Sequence, residues 1–201
     1  DGYRQNPSLR TGPLSPAIAK TSEKDIVVAA RRMIRARGVD ALTLRDVAEA
    51  VGIRAPSLYK RFKDKAALLQ AVKTDALGRF EEALRLAAEG HPPPLAFIKL
   101  ATAYRDFGRR RPEIYRLIHR PELKAAGLEA ERTALVPVVE VITALVGSGH
   151  ALAATRCATS FLHGFVALEI ENHFQDAGST DEAFTFSVYV VLQGLVNSAA
   201  R

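Results

Sequence analysis

Apolar residues recur at helical spacing through most of this chain, and no stretch reads convincingly as a strand or as an internal repeat. The first stripe, Ile26, Ala29, Ala30, Met33 and Ile34, predicts a helix from about Ser22 to Arg37 that Gly38 stops. Leu44, Val47, Ala48 and Val51 make a second, short stripe. Thr43 stands just before it and Asp46 three residues later, the pattern of a capping box with Asp in place of Glu or Gln. Gly52 falls where the chain must turn, Ile53 would plug the space between two helices, and Pro56 suits the first turn of the next one. Leu58 and Phe62, four apart, point inward; Ala55, Ser57, Lys60 and Arg61 are left outward, with Tyr59 at the margin. A stripe of Leu69, Val72, Ala76, Phe80 and Leu84 predicts one long helix from Lys65 to Ala88, broken by Gly90 and Pro92–Pro94. Further helices are expected over about Leu95–Arg110, Glu113–His119, Leu128–Val146 with a kink at Pro137, Leu152–Phe174 and Asp181–Ala199. The expected fold class is all-α.

Charge adds a direction to this picture. The 201 residues carry a net +6, but the excess is not spread evenly. Residues 1–72 hold 14 Lys and Arg against 7 Asp and Glu, whereas the other 129 hold 14 against 15. A basic excess confined to the second and third helical stripes and what precedes them is the footprint of a polyanion-binding surface. Residues 1–20, with Pro7, Pro13, Pro16 and two glycines, read as a flexible and weakly basic arm. Cys157 is the only cysteine, which excludes an intramolecular disulfide or a multi-cysteine metal site, and its apolar neighbours suggest a small buried core residue. No run reaches the roughly 18 apolar residues of a membrane span and no signal peptide is visible, so a cytoplasmic protein without membrane contact is expected. The chain starts at Asp1 rather than Met, as a fragment of an expressed chain would.

The stretch TLRDVAEAVGIRAPSLYKRF, residues 43–62, has the form of a helix-turn-helix, whose second helix enters the DNA major groove. It resembles the TetR family of bacterial transcriptional regulators. The shared pattern spans residues 22–72: Thr43, Arg45, Val47, Ala48, Gly52 and Ile53, then Leu58, Tyr59 and Phe62, then Lys65, Leu68 and Leu69. The resemblance implies a DNA-binding set of Thr43, Arg45, Arg54, Ala55, Pro56, Ser57, Tyr59, Lys60, Arg61 and Lys65. In it Arg45 reaches a base or phosphate from the first helix of the motif, Ala55, Pro56 and Ser57 line base edges, Tyr59 and Lys65 hold phosphates, and Arg61 adds a phosphate or base contact. Arg54 departs from the pattern, since many members carry Ser or Thr there; the second helix then lacks a hydroxyl N-cap, and Arg54 is free to face DNA. About nine helices are implied in all, divided into the arm (1–20), a helix-turn-helix domain (21–72) and a helical effector-binding and dimerisation domain (73–201).

Tyr104 and Phe107, the run Pro112–Tyr115 and above all His163-Gly164 resemble the family's WHG-type sensing domains, although the chain has no Trp. The last two helices carry more apolar surface than one core needs. Phe165, Leu168, Val188, Val191, Leu192, Gly194 and Leu195 are therefore the expected dimer interface, with Gly164 and Gly194 allowing close approach. The alternative is that these residues all face their own core. Phe80, Tyr104, Phe107, Tyr115, Ile118, His119, Ile142, Phe161 and His163 are the expected ligand pocket, against the alternative that they simply fill the interior. No metal-ligand spacing, phosphate loop or nucleophile elbow is visible, so no enzyme, metal or cofactor is expected. The expected function is a homodimeric repressor released from a palindromic DNA operator by a small apolar or aromatic ligand. The alternative is a DNA-binding regulator or interaction protein with a filled C-terminal core and no effector. A cavity above roughly 300 Å³ in the C-terminal part would favour the first.

Overall fold

A computed structural model describes residues 21–123, 128–174 and 178–199; the arm expected over residues 1–20 lies outside them. The described residues form ten α-helices and one 3₁₀ turn, Pro121–Leu123. The helices are α1 (Glu23–Arg37), α2 (Leu44–Ala50), α3 (Ala55–Tyr59), α4 (Lys65–Ala88) and α5 (Pro93–Arg110). They continue with α6 (Pro112–Ile118), α7 (Leu128–Ala134), α8 (Val136–Val146), α9 (Ala151–Ile170) and α10 (Thr180–Ala199). The count exceeds nine because Pro137 ends one helix and opens another rather than kinking a continuous one. It sits in the first turn of α8, where the N–H it lacks has no partner to lose. The end of α9 also comes earlier than the apolar pattern suggests. Asn172 takes φ +58°, and the N–H groups of Asn172 and His173 return to the carbonyls of Glu169 (3.1 Å) and Leu168 (2.9 Å). That is a Schellman stop with Asn in the place usually taken by Gly.

The first two helices are both N-capped, but only the first by a complete box. At α1 the Ser22 hydroxyl accepts from the Asp25 N–H (3.2 Å) while the Asp25 carboxylate accepts from the Ser22 N–H (2.8 Å), a complete capping box. At α2 only the first half forms: Thr43 Oγ1 accepts from the Asp46 N–H at 3.1 Å.

Ile26, Ile34, Val47, Leu58, Leu68 and Val72 are fully buried and lock α1, α2, α3 and the start of α4 together. With 24 residues, α4 is about 36 Å long. It packs on α1 and α6 and, further along, on α5, α7 and α8. Behind it Phe97, Leu100, Ile142, Leu162 and Val166 complete one continuous core. The glycine that permits close helix approach inside the protomer is Gly108: a Cβ there would overlap Val166 of α9, whereas Gly164 and Gly194 meet nothing within 4 Å.

Two charged residues sit inside this core. Lys73, fully buried on α4, donates from Nζ to Glu131 Oε1 (2.5 Å) on α7 and to the Leu123 carbonyl (3.3 Å). Arg105 of α5 grips Glu169 of α9 with two hydrogen bonds (2.8 and 2.5 Å), pairs with Asp181 of α10 (2.7 Å) and lies over the Phe184 ring. Arg109 joins the same carboxylates, Arg110 pairs with Asp106, and Arg111 lies over Phe107. Of the basic run after Phe107, Arg109 thus reaches α9 and α10, while Arg110 and Arg111 make contacts back along α5. Cys157 is exposed, not buried: Ala154, Ala158 and Leu162 take the inward positions of α9, and Cys157 falls on the opposite side.

Candidate functional site

Three regions bear on function. The first is the outer face of α2 and α3. Gly52 adopts φ +69°, a conformation that L side chains rarely take, and turns the chain so that the Ile53 N–H reaches the Ala48 carbonyl at 2.9 Å. Arg54 precedes α3 with no side-chain cap, and the Ser57 N–H bonds instead to the Arg54 carbonyl at 2.9 Å. The Arg54 side chain consequently stays in solvent. Leu58 and Phe62 anchor α3 from below. Thr43, Arg45, Arg54, Pro56, Ser57, Tyr59 and Lys60 are all exposed, and Ala55 is half-buried. Tyr59, at 54% exposure, points fully outward rather than lying at the margin. Among the described residues Arg45, Arg54 and Lys60 form no ion pair. Two expected members of the set have partners within the protein. Arg61 donates to the Thr21 carbonyl, just before α1, and Lys65 Nζ donates to the Asp40 carbonyl at 3.1 Å.

The second region is the aromatic interior. Phe80 meets Tyr104 edge-on (centroids 5.0 Å) and Phe107 at 4.9 Å, and Ile142 is fully buried. The cavity left beside Phe80, Tyr104, Ile118 and His119 is only about 240 Å³. Burial drives the Tyr104 hydroxyl up to about 12 and raises that of Tyr115 as well. Tyr115 Oη lies 3.3 Å from Tyr104 Oη and 2.8 Å from His163 Nδ1, and the His119 and His163 rings are 4.1 Å apart. These rings form a partition. On its far side a cleft of about 630 Å³ opens between α6 and α9 and the α1–α2 corner, Arg37–Asp40. Tyr115 and His163 line this cleft rather than the interior chamber, and His119 borders both. Phe161 belongs to neither: it stacks on Phe184 and meets Phe165, in the cluster around Arg105.

The third region is the outer face of α9 and α10. Val188, Leu192 and Leu195 are buried in the protomer, as the alternative reading had it, and Phe165 and Val191 are half-buried. Leu168 and Gly194 are exposed, and beside them the structure exposes Phe186, Tyr189, Val190 and Val196. By length and composition α9 would pass for a membrane span, but it packs on α5, α8 and α10 within the protomer.

Sequence reasoning missed Lys73, Glu131 and Arg105. The available signal was a cation on an apolar stripe: Lys73 sits four residues after Leu69 and four before Leu77, and Arg105 four after Ala101. No signal foretold the Arg37–Asp40 wall of the cleft, because its partners lie more than 70 residues away.

Residues 26–72 match the family model described as bacterial regulatory proteins, tetR family, and residues 97–191 match a tetracyclin repressor-like C-terminal domain. The uncharacterized HTH-type transcriptional regulator Rv0681 of Mycobacterium tuberculosis is 30% identical over 181 residues, covering 88% of this chain and 83% of that protein. The class D tetracycline repressor protein of Escherichia coli is 34% identical over 65 residues, 32% of this chain and 30% of that protein. A solved structure of a Rhodococcus protein of unknown function superposes with a TM-score of 0.77 at 26% identity, covering 90% of this chain and all of that one. The chain belongs to the TetR family and is a DNA-binding transcriptional regulator.

Proposed function

We propose that the protein is a cytoplasmic homodimeric repressor that holds a palindromic operator and is released from it by a small apolar or aromatic compound. The observation that carries the reading is the exposed face of Arg45, Arg54, Ser57, Tyr59 and Lys60. Its cations have no carboxylate partner among the described residues, and the turn presents them together. Phosphates would supply the missing counter-charge, and Ser57 and Arg45 would touch base edges. Lys65 and Arg61 would reach DNA from their present backbone anchors. The repressor role is supported by the name of the tetracycline repressor relative. Residues 21–72 then form the DNA-binding domain and 73–201 the effector-binding and dimerisation domain.

Dimerisation rests on α9 and α10. An apolar patch of Leu168, Phe186, Tyr189 and Val190, left open by a single protomer, is what a two-fold four-helix contact would cover. Two recognition helices in such a dimer would read half-sites about 34–36 Å apart. The second reading, a filled core with no effector, is favoured by the tight packing of Phe80, Tyr104 and Phe107 around a chamber of about 240 Å³.

The test begins with selection of a duplex from random sequence, followed by sedimentation of wild type, Phe186→Arg and Val190→Arg. Wild type should sediment as a dimer and select an inverted repeat. Both variants should be folded monomers that lose tight binding. Selection of a single asymmetric half-site, or dimers from both variants, would refute the dimeric reading.

A further inference from the structure

Building on the reading that this regulator answers to a small molecule, we propose that the cleft between the α1–α2 corner, α6 and α9 is its effector site, taking a neutral planar aromatic compound that bears a hydroxyl. At about 630 Å³ the cleft lies within the usual size of ligand sites, about 300–1,000 Å³, and the interior chamber falls below it. Its floor is formed by the half-buried rings of His119 and His163, 4.1 Å apart and tilted 41° to one another, backed by the buried ring of Tyr115. An aromatic body packs against such tilted rings offset or edge-to-face. Val39, Ala167 and Ile170 give it apolar sides. The rim sets Arg37, Arg116 and Arg120 against Asp40, Glu113 and Glu171, so the signs balance and a net charge on the ligand gains little. The rim arginines donate and the rim carboxylates accept, and a hydroxyl does both in return.

The outer wall makes this cleft a regulatory position. The Asp40 carboxylate pairs with Arg120 at 3.2 Å across it, and the Asp40 carbonyl accepts from Lys65 at 3.1 Å. Thr43, three residues on, caps α2. An occupant that separates Arg120 from Asp40 therefore disturbs the residue that anchors Lys65 and the segment that starts α2. The signal reaches the DNA face through this corner, without requiring α4 to tilt.

The experiment uses the full chain with 2-naphthol and with 2-methylnaphthalene, which keeps the rings and lacks the hydroxyl. At a hundredfold excess over Kd, 2-naphthol should raise Tm by about 5–10 °C, and 2-methylnaphthalene by less than half as much. Ala167→Trp, or Ile170→Trp if the first does not fold by circular dichroism, fills the cleft and should remove the shift. Leu135→Phe, which narrows the interior chamber, should keep it. Saturating 2-naphthol should weaken wild-type binding to the selected duplex by roughly 5- to 150-fold. A wild type that does not respond to 2-naphthol overturns the ligand class. A shift that survives both tryptophan variants, or that Leu135→Phe removes, overturns the site. Bound 2-naphthol with unchanged DNA affinity overturns the effector role. Failure of the repressor reading shows separately, as absence of duplex binding without any ligand.

Discussion

The helix-turn-helix and the helical bundle behind it use charge in opposite ways. On α2 and α3 the cations Arg45, Arg54 and Lys60 stand in solvent with no ion pair among the described residues. In the bundle two cations turn inward and are matched: Lys73 with Glu131, and Arg105 with Glu169 and Asp181. An unmatched surface cation costs the fold almost nothing and is available to a phosphate. A buried cation must be neutralised where it lies, so it pins the helices that carry its partners. The same residue types therefore do different work, and burial decides which.

The contrast can be broken most directly at Arg105. Its side chain is 8% exposed, so Arg105→Ala should cost about 3 kcal/mol of unfolding free energy by leaving the largely buried Glu169 with only the 3.7 Å contact to Arg109. Lys60→Ala should stay within about 0.5 kcal/mol. Urea denaturation of the two variants settles it, and equal costs would erase the distinction between the regions.

DNA binding should show the reverse ranking. With ~8 phosphate contacts per dimer, log K should fall against log salt with a slope of about −7. Lys60→Ala should flatten that slope by about 2, one contact per subunit, and weaken every sequence alike, while Arg45→Ala or Ser57→Ala should cost ~1–3 kcal/mol and change the preferred sequence. Fluorescence anisotropy across a salt series reads both. A Lys60→Ala slope equal to the wild-type one would remove that residue from the interface.

A smaller effect is expected at the turn. Gly52→Ala forces a Cβ onto a backbone at φ +69°, for a loss of about 1 kcal/mol. Gly78→Ala inside α4, where a Cβ meets nothing within 4 Å, should be neutral or stabilising. Thermal melts that rank the two the other way would deny the strained turn.

The smallest effect concerns the bundle at high pH. Burial raises the folded-state hydroxyl of Tyr104 to about 12, above its ordinary value of 10.0. The neutral phenol therefore contributes stability that is fully present below pH 10 and is lost as pH rises through the folded value. At pH 10.5 the loss from Tyr104 should be under about 1 kcal/mol. Tyr104→Phe should lessen the decline between pH 9 and pH 10.5 relative to wild type, and an identical decline in both would show that the hydroxyl is not held neutral.

The helix-turn-helix was legible in the sequence because its information is local. The Gly52 turn, the inward Leu58 and Phe62, and the absent cap at Arg54 all depend on neighbours within a few residues, and the structure places each as the pattern implied. Helix periodicity likewise located α4 to the residue and most other helices to within a few, but joined α7 and α8 into one. Periodicity states which face of a helix is apolar but not what covers it. Hence Val188, Leu192 and Leu195 proved to face their own core, whereas Phe186 and Val190 face outward. It also cannot say whether aromatic residues enclose a space or fill it. Phe80, Tyr104 and Phe107 fill theirs, and the larger cavity opens instead where the Arg37–Asp40 corner meets residues some 75 to 130 positions later. Local sequence determined the elements and the exposed basic face of α2 and α3. The cleft, the buried ion pairs and the open apolar patch were decided only by how those elements pack, because each depends on side chains that meet only once the whole chain has closed.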